Sequence, residues 1–127
     1  AVGEEVTTHK VGDLVAWPMA LGSYSEYVVI PENRVVGVPK DVSIEVACAA
    51  MLQGMTAHYL VASTYAVKAG DYALVHAGAG GVGSLLVQMI KARGGYVIST
   101  CGSEEKAALV RSLGADQVLV GYNDFAA

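Results

Sequence analysis

The chain has 127 residues, of which 54% are hydrophobic and 16% charged, a composition typical of a globular protein with a buried core. Twelve acidic residues against eight basic ones give a formal charge of −4, and the basic residues are scattered, which argues against a nucleic-acid-binding surface. The apolar runs are too short and too interrupted to span a bilayer. Cys48 and Cys101 are far apart in the sequence, so we expect free thiols and a reduced, cytoplasmic environment.

The first part of the chain, residues 1 to about 40, has the composition of strands and turns. Runs rich in valine and tyrosine stop at Pro18, Pro31 and Pro39, and proline is a natural end for a strand. The pattern predicts short strands over residues 11–17, 24–30 and 34–38.

Residues 43–66 switch to a helical composition. Ser43 is a suitable N-cap, and Glu45 lies in the first turn, beside the positive end of the helix. Residues 46–52 are apolar on nearly every side, which predicts a buried helix. Gly54 predicts an interruption, after which a second helical segment follows over about 56–63.

From residue 67 onward the pattern alternates between strand and helix. The predicted order is strand 72–76, helix 81–93, strand 96–100, helix 104–113 and strand 117–120. This βαβαβ order indicates an α/β fold with a parallel sheet, one half of a doubly wound domain. The last residues, 122–127, resemble the start of another helix.

A glycine-rich motif, Gly78-x-Gly80-x-x-Gly83, lies between the first of these strands and the helix that follows it. In this position it is typical of a dinucleotide site. We expect Gly78 to allow the tight turn, Gly80 to let a pyrophosphate approach the backbone, and Gly83 to let the helix lie close to the sheet. The helix would then offer its free N–H groups to the phosphates.

The end of the second strand of this unit bears on the choice of cofactor. An NAD site usually has an acidic residue there, which binds the ribose hydroxyls. Here the strand ends in Cys101, Gly102 and Ser103, with Lys106 one turn later, and this set favours the 2′-phosphate of NADPH. An alternative interpretation makes Ser103 a helix cap and Lys106 a solvated surface residue.

The remaining polar residues predict no metal site and no catalytic group. His9, His58 and His76 are dispersed, and no partner lies at metal-ligand spacing. No Ser-His-Asp set and no nucleophile-elbow motif is present. The catalytic residues are therefore left unassigned.

Several segments together resemble one protein family. They are LQGMTAHYL at 52–60, VHAGAGGVG at 75–83, SEEKA at 103–107 and LGAD at 113–116, with VGD at 11–13 and GSYSEYV at 22–28. The set is similar to the zeta-crystallin-like quinone oxidoreductase branch of the zinc-free medium-chain dehydrogenase/reductase superfamily, and it covers essentially the whole chain. One departure is Gly78, where that family usually has alanine.

The resemblance implies a domain organisation. Residues 1–42 would be the end of a GroES-like catalytic β-barrel domain, residues 43–66 connector helices, and residues 67–127 the first βαβαβ half of an NADPH-binding Rossmann domain. The chain would then correspond to the middle part of such an enzyme. Early barrel strands and the second half of the sheet would lie outside it.

The resemblance also implies the reaction and the roles of individual residues. The expected reaction is hydride transfer from NADPH to a small-molecule quinone or another electrophilic enone, without metal. Thr56 would lie near the nicotinamide, and Gln53 and Met55 would shape the substrate cleft. The expected cofactor ligands are Gly80, Gly81 and Val82 for the pyrophosphate and Gly102, Ser103 and Lys106 for the adenosine phosphate.

Two other functions stay open at this point. One is an enoyl reductase of polyketide or fatty-acid type, and the other is a non-catalytic NADPH-binding module. In addition, a sheet that contains only strands 72–76, 96–100 and 117–120 leaves the first strand at an edge, which favours self-association to a dimer.

Overall fold

The computed structural model describes residues 1–122 and divides the chain into two compact units, residues 1–52 and residues 53 onward. The first unit has two short strands, β1 (Val15–Ala16) and β2 (Val36–Gly37), which pair antiparallel. A 3₁₀ turn, Glu32–Arg34, precedes β2. Within residues 1–122, no helix is both long enough and apolar enough to cross a membrane.

The strand predictions for the first unit are only partly confirmed. β1 and β2 lie within the predicted segments 11–17 and 34–38, but each has two residues, and the structure has no strand over 24–30. A strand requires a neighbour to accept and donate its backbone hydrogen bonds. Residues 24–30 therefore have an irregular backbone despite their high strand propensity, because propensity alone does not supply a neighbouring strand.

A single helix, α1 (Ile44–Tyr59), begins in the first unit and ends in the second. The backbone N–H of Val46 donates to the Ser43 hydroxyl, so Ser43 is its N-cap as predicted. The predicted interruption at Gly54 is wrong, because one glycine costs a helix only about 1 kcal/mol and this helix has 16 residues. A π-helical turn, Leu60–Thr64, follows directly.

The prediction that residues 46–52 are buried is also wrong. Val46 and Leu52 are 59% and 49% exposed, and Ala57 is the residue of α1 that is fully buried. An apolar helix is buried only where another element covers it. Among the described residues, no such cover hides Val46 and Leu52 from solvent.

The second unit has the predicted alternating order. Its elements are β3 (Tyr72–Val75), α2 (Gly81–Ala92), β4 (Tyr96–Cys101), α3 (Glu104–Ser112) and β5 (Gln117–Val120). All three strands are parallel, in the order β3-β4-β5, with Val75 opposite Ser99 and Ser99 opposite Val118. The βαβαβ prediction is confirmed, and each boundary agrees within one residue. The predicted start of a helix at 122–127 lies almost entirely outside the described residues.

The core of this unit lies between one face of the sheet and its helices. Val75 and Val97 of the sheet pack with Val87 and Ile90 of α2 and with Val110 of α3. Side chains alternate along a strand, so Tyr72 and Leu74 point to the opposite face, where they are 76% and 54% exposed. On that face the ring centroids of Tyr72 and Tyr96 lie 4.9 Å apart, with the ring planes tilted by 36°. Parallel sheets normally have both faces covered, whereas within residues 1–122 Tyr72 and Leu74 stay exposed on this face.

Asp116 joins three parts of the second unit. Its carboxylate accepts hydrogen bonds from Lys91 Nζ at 2.9 Å and from the Val97 backbone N–H at 2.7 Å. The lysine, and then the Val97 N–H, hold the pKa of this carboxyl below its ordinary value. The turn before β5 is thereby fixed to the end of α2 and to β4.

We expect Asp116→Asn to lower the free energy of unfolding at neutral pH and to have little effect in strong acid. The pKa of Asp116 is lowered in the folded state, so its stabilising effect is complete above the unfolded-state pKa and is lost as the pH falls through the folded-state pKa. Urea unfolding between pH 7 and about pH 3 measures this. The exposed Asp41→Asn serves as the control. A difference between native protein and D116N that stays constant over this pH range would contradict the assignment.

Candidate cofactor site

The glycine loop connects β3 to α2 by a tight turn that Ala77 makes. Ala77 has φ 52°, in the left-handed region that residues with a Cβ seldom adopt, and its carbonyl accepts the Gly80 N–H at 2.8 Å. Gly78 does not have a positive φ. The expectation that Gly78 provides the conformational freedom for the turn is therefore wrong.

Gly78 is required for space instead. A Cβ added to Gly78 would overlap the Ser99 hydroxyl oxygen and lie 3.2 Å from Val110 Cγ1. The Ser99 hydroxyl is fully buried and donates to the Val75 carbonyl at 2.9 Å. The Ser99 hydroxyl therefore occupies the space that a side chain at position 78 would need.

Gly83 has the role that the motif predicts. It is buried in the first turn of α2, and a Cβ there would overlap the Ala77 carbonyl oxygen and come within 2.8 Å of Gly78 Cα. With glycine at this position, the helix starts directly against the backbone of the loop.

The amino terminus of α2 carries no side-chain cap among the described residues. Gly80 is its N-cap residue, with an extended backbone, and both Gly80 and Gly81 are exposed. The first N–H groups of a helix have no partner within the helix, and they lie at the positive end of its dipole. This end of α2 is therefore suited to bind an anion.

Gln53 lies beside this helix end. A Cβ added to Gly81 would come within 2.8 Å of Gln53 Cγ, so the glutamine side chain covers Gly81. Met55 and Thr56 follow on α1, Met55 exposed and Thr56 half-buried. Gln53, one of the three α1 residues predicted to contribute to the site, therefore lies against the first residue of α2.

A small pocket of about 140 Å³ lies between the glycine loop and the end of β4. Of the described residues that line it, Lys106 is the one that carries a charge. The lining residues are Ala77, Ala79, Gly80, Cys101, Gly102, Lys106 and Tyr122. Three of the predicted cofactor residues, Gly80, Gly102 and Lys106, thus meet at one pocket.

Ser103 is the N-cap of α3. Its hydroxyl oxygen accepts the Lys106 backbone N–H at 3.3 Å, which leaves the hydroxyl hydrogen free to be donated to a ligand. Glu104 forms an ion pair with Arg111 at 3.5 Å, and neither Glu104 nor Glu105 lines the pocket. The two carboxylates in the first turn of α3 therefore do not contribute to the wall of this pocket.

Tyr122 and Cys101, neither of which was predicted to be a cofactor ligand, also line the pocket. The aromatic ring of Tyr122 lies 3.6 Å from the position that a Cβ on Gly102 would take. The turn that brings Tyr122 there uses Gly121 at φ 87°, and a glycine directly after a strand is the sequence feature that could have indicated it.

Metal ligands do not cluster in the part of the chain that the structure describes. Residues 1–122 contain no group of three or more His, Cys, Asp or Glu side chains able to hold a metal ion. Cys48 and Cys101 are both free thiols, one exposed and one buried. Metal-free chemistry and a cytoplasmic location stay predictions.

Comparison with known proteins identifies clear relatives. A family model described as zinc-binding dehydrogenase matches residues 81–127. A quinone oxidoreductase of Pseudomonas aeruginosa is 47% identical over 91% of this chain and 36% of its own length. A 2-haloacrylate reductase of Burkholderia sp. is 41% identical over 98% of this chain and 39% of its own length.

The similarity extends to three dimensions. The crystal structure of Escherichia coli quinone oxidoreductase complexed with NADPH matches 97% of this chain and 38% of its own, at a TM-score of 0.90 and 39% identity. The chain thus spans a little over a third of the length of these proteins.

We expect Gly78→Ala to destabilise the fold by about 1–3 kcal/mol, because the new methyl group overlaps the Ser99 hydroxyl. Ser99→Ala alone would cost about 1 kcal/mol through its lost hydrogen bond. Since it removes the overlapping oxygen, the double variant would be more stable than the sum of the two losses implies. Urea unfolding of all four proteins measures the coupling.

Gly37→Ala provides the matched control, because no atom lies within 4 Å of a Cβ added there. If the losses in Gly78→Ala and Ser99→Ala simply add in the double variant, the two residues do not share one space.

Proposed function

We propose that this chain, which resembles part of the quinone oxidoreductases of the medium-chain dehydrogenase/reductase superfamily, contributes the NADPH site of an enzyme that reduces quinones or other electrophilic enones. The observation that carries the proposal is the uncapped amino terminus of α2 beside a pocket whose described charged residue is a lysine. Both features attract phosphate groups, and a nicotinamide dinucleotide phosphate has phosphates at both positions.

The pyrophosphate would bind at the start of α2. The N–H groups of Gly81 and Val82 are in the first turn, and Gly80 and Gly81 are both exposed, with the Gln53 side chain beside Gly81. Buried Gly78 and Gly83 would act only by letting the loop and the helix pack closely. Of the four glycines at 78, 80, 81 and 83, two would thus face the ligand and two would shape the loop.

The adenosine end would bind near the end of β4. Lys106 would pair with the 2′-phosphate, and the Ser103 hydroxyl would donate to it while still capping α3. Gly102 keeps the pocket open beside Tyr122, whose ring gives the adenosine an aromatic neighbour. Because no carboxylate is among the described lining residues, a 2′-phosphate would meet no repulsion there.

When bound, the reduced nicotinamide would supply a hydride, and the quinone would take up that hydride and a proton. The contribution of this chain is to hold and orient the dinucleotide. Thr56 would lie near the nicotinamide, and Gln53 and Met55 would border the substrate. No residue of the chain is assigned as a catalytic acid or base.

The similarity to a 2-haloacrylate reductase supports the wider substrate class. Quinones, enones and haloacrylates share an electron-poor carbon–carbon double bond that accepts a hydride. A panel of these substrates and of thioester-linked enoyl chains would separate the proposed function from that of an enoyl reductase. Cofactor binding without turnover by the full-length enzyme would favour the non-catalytic module.

We expect Lys106→Ala to weaken NADPH binding by about 1–3 kcal/mol, roughly tenfold to a hundredfold, and to leave NADH binding nearly unchanged. The reason is that only NADPH carries the 2′-phosphate. Fluorescence titration of both cofactors measures this. Lys40→Ala, at another exposed lysine, serves as the control. Equal losses for NADPH and NADH would show that Lys106 does not read the phosphate.

We also propose that the isolated chain self-associates through β3. Among residues 1–122, β3 pairs only with β4, so its other edge presents unpaired N–H and C=O groups beside exposed Tyr72 and Leu74. Exposed apolar edges are templates for pairing with another strand, and two copies could pair edge to edge as a dimer.

Sedimentation in the micromolar range would then show a dimer whose population depends on concentration. Leu74→Lys puts a charge on the open face and should shift the population toward monomer. Leu109→Lys, at a similarly exposed leucine on α3, should not. A native chain that stays monomeric and unfolds cooperatively would refute the edge pairing.

A further inference from the structure

We propose that Thr100 is the residue that positions the glycine loop for the dinucleotide, although it does not itself line the cofactor pocket. Thr100 lies in β4 and is fully buried. This inference rests on the proposed dinucleotide function of the loop. It adds a residue that lies outside the glycine motif.

Thr100 holds two consecutive residues of the loop. Its hydroxyl oxygen accepts the Ala77 backbone N–H at 3.2 Å, and its main-chain carbonyl accepts the Gly78 N–H at 2.9 Å. The carbonyl contact would be present with any residue at 100. The hydroxyl contact requires serine or threonine.

The hydroxyl contact falls on the residue whose conformation is least favourable. Ala77 has φ 52°, which a residue with a Cβ adopts only when its surroundings hold it there. The buried hydroxyl gives the Ala77 N–H a partner in this conformation. Without it, that N–H would have to find another acceptor or water, and the turn would be free to relax.

The conformation of Ala77 affects the position of the first turn of α2. Its carbonyl accepts the Gly80 N–H at 2.8 Å, and Gly80 is the N-cap of the helix. The same carbonyl oxygen is the atom that Gly83 approaches so closely. A rotation of the Ala77 peptide would therefore displace the N–H groups proposed to bind the pyrophosphate.

His76 is a second polar neighbour of the hydroxyl. The Nδ1 atom of His76 lies 3.2 Å from Thr100 Oγ1. A hydroxyl has one hydrogen, and because it accepts from Ala77 it can donate that hydrogen to Nδ1. The direction of the contact between His76 and Thr100 depends on the tautomer of the imidazole ring.

The test compares Thr100→Val, which has nearly the same shape but no hydroxyl, with Thr100→Ser, which keeps it. We expect T100V to raise the Kd for NADPH about tenfold, and T100S to stay within about threefold of the native value. Adenosine 2′-phosphate lacks the pyrophosphate, so its Kd should be unchanged in both. Thr64→Val, at an exposed threonine, serves as the control.

Equal weakening of NADPH and adenosine 2′-phosphate by T100V would mean a general loss of structure and would overturn the positioning role. Unchanged NADPH binding by T100V would overturn it as well. Loss of binding in T100S would show that the hydroxyl is not sufficient, and would also count against it.

Hydrogen exchange of the Ala77 amide gives a readout that needs no cofactor. It should be slow in the native chain and in T100S, and about tenfold faster in T100V. If the native chain binds no NADPH, the proposed function fails, and the Ala77 exchange rate still decides whether Thr100 holds the loop.

Discussion

The close approach of the first turn of α2 to the backbone of the loop before it is the constraint on which the candidate site depends. Gly83 faces the Ala77 carbonyl with no room for a Cβ. Ala77 adopts a left-handed conformation to make the turn, and its carbonyl also holds Gly80. The result is a helix whose free N–H groups begin directly at the loop, which is the arrangement that a phosphate requires.

Two neighbouring residues of β4 hold this loop from opposite faces of the sheet. Ser99 points to the face that packs against the helices, and its hydroxyl fills the space beside Gly78. Thr100 points to the other face, and its hydroxyl holds Ala77. Because side chains alternate along a strand, two successive small hydroxyl residues can fix two successive loop residues. Glycine at 78 leaves room for the serine at 99, because a Cβ there would overlap its hydroxyl.

The two faces of the same sheet differ in burial among the described residues. One face packs into a core of Val75, Val87, Ile90, Val97 and Val110, while Tyr72 and Leu74 on the other face are exposed. The exposed side of α1 is similarly apolar. The relatives have nearly three times the length that this chain matches.

The sequence alone determined the alternating elements of the second unit, and it predicted a dinucleotide as the ligand of the loop. Strand and helix periodicity, and glycines at fixed spacing, depend on interactions between residues close in the chain, and these can be recognised in a local pattern. Only the tertiary structure decided that Gly78 is needed for space, that Ala77 makes the turn, and that Lys106 and Tyr122 share a pocket. It also decided that residues 46–52 are exposed and that 24–30 is not a strand. Each of these depends on contacts with residues distant in sequence, because burial, strand pairing and pocket shape require a partner that a local pattern does not contain.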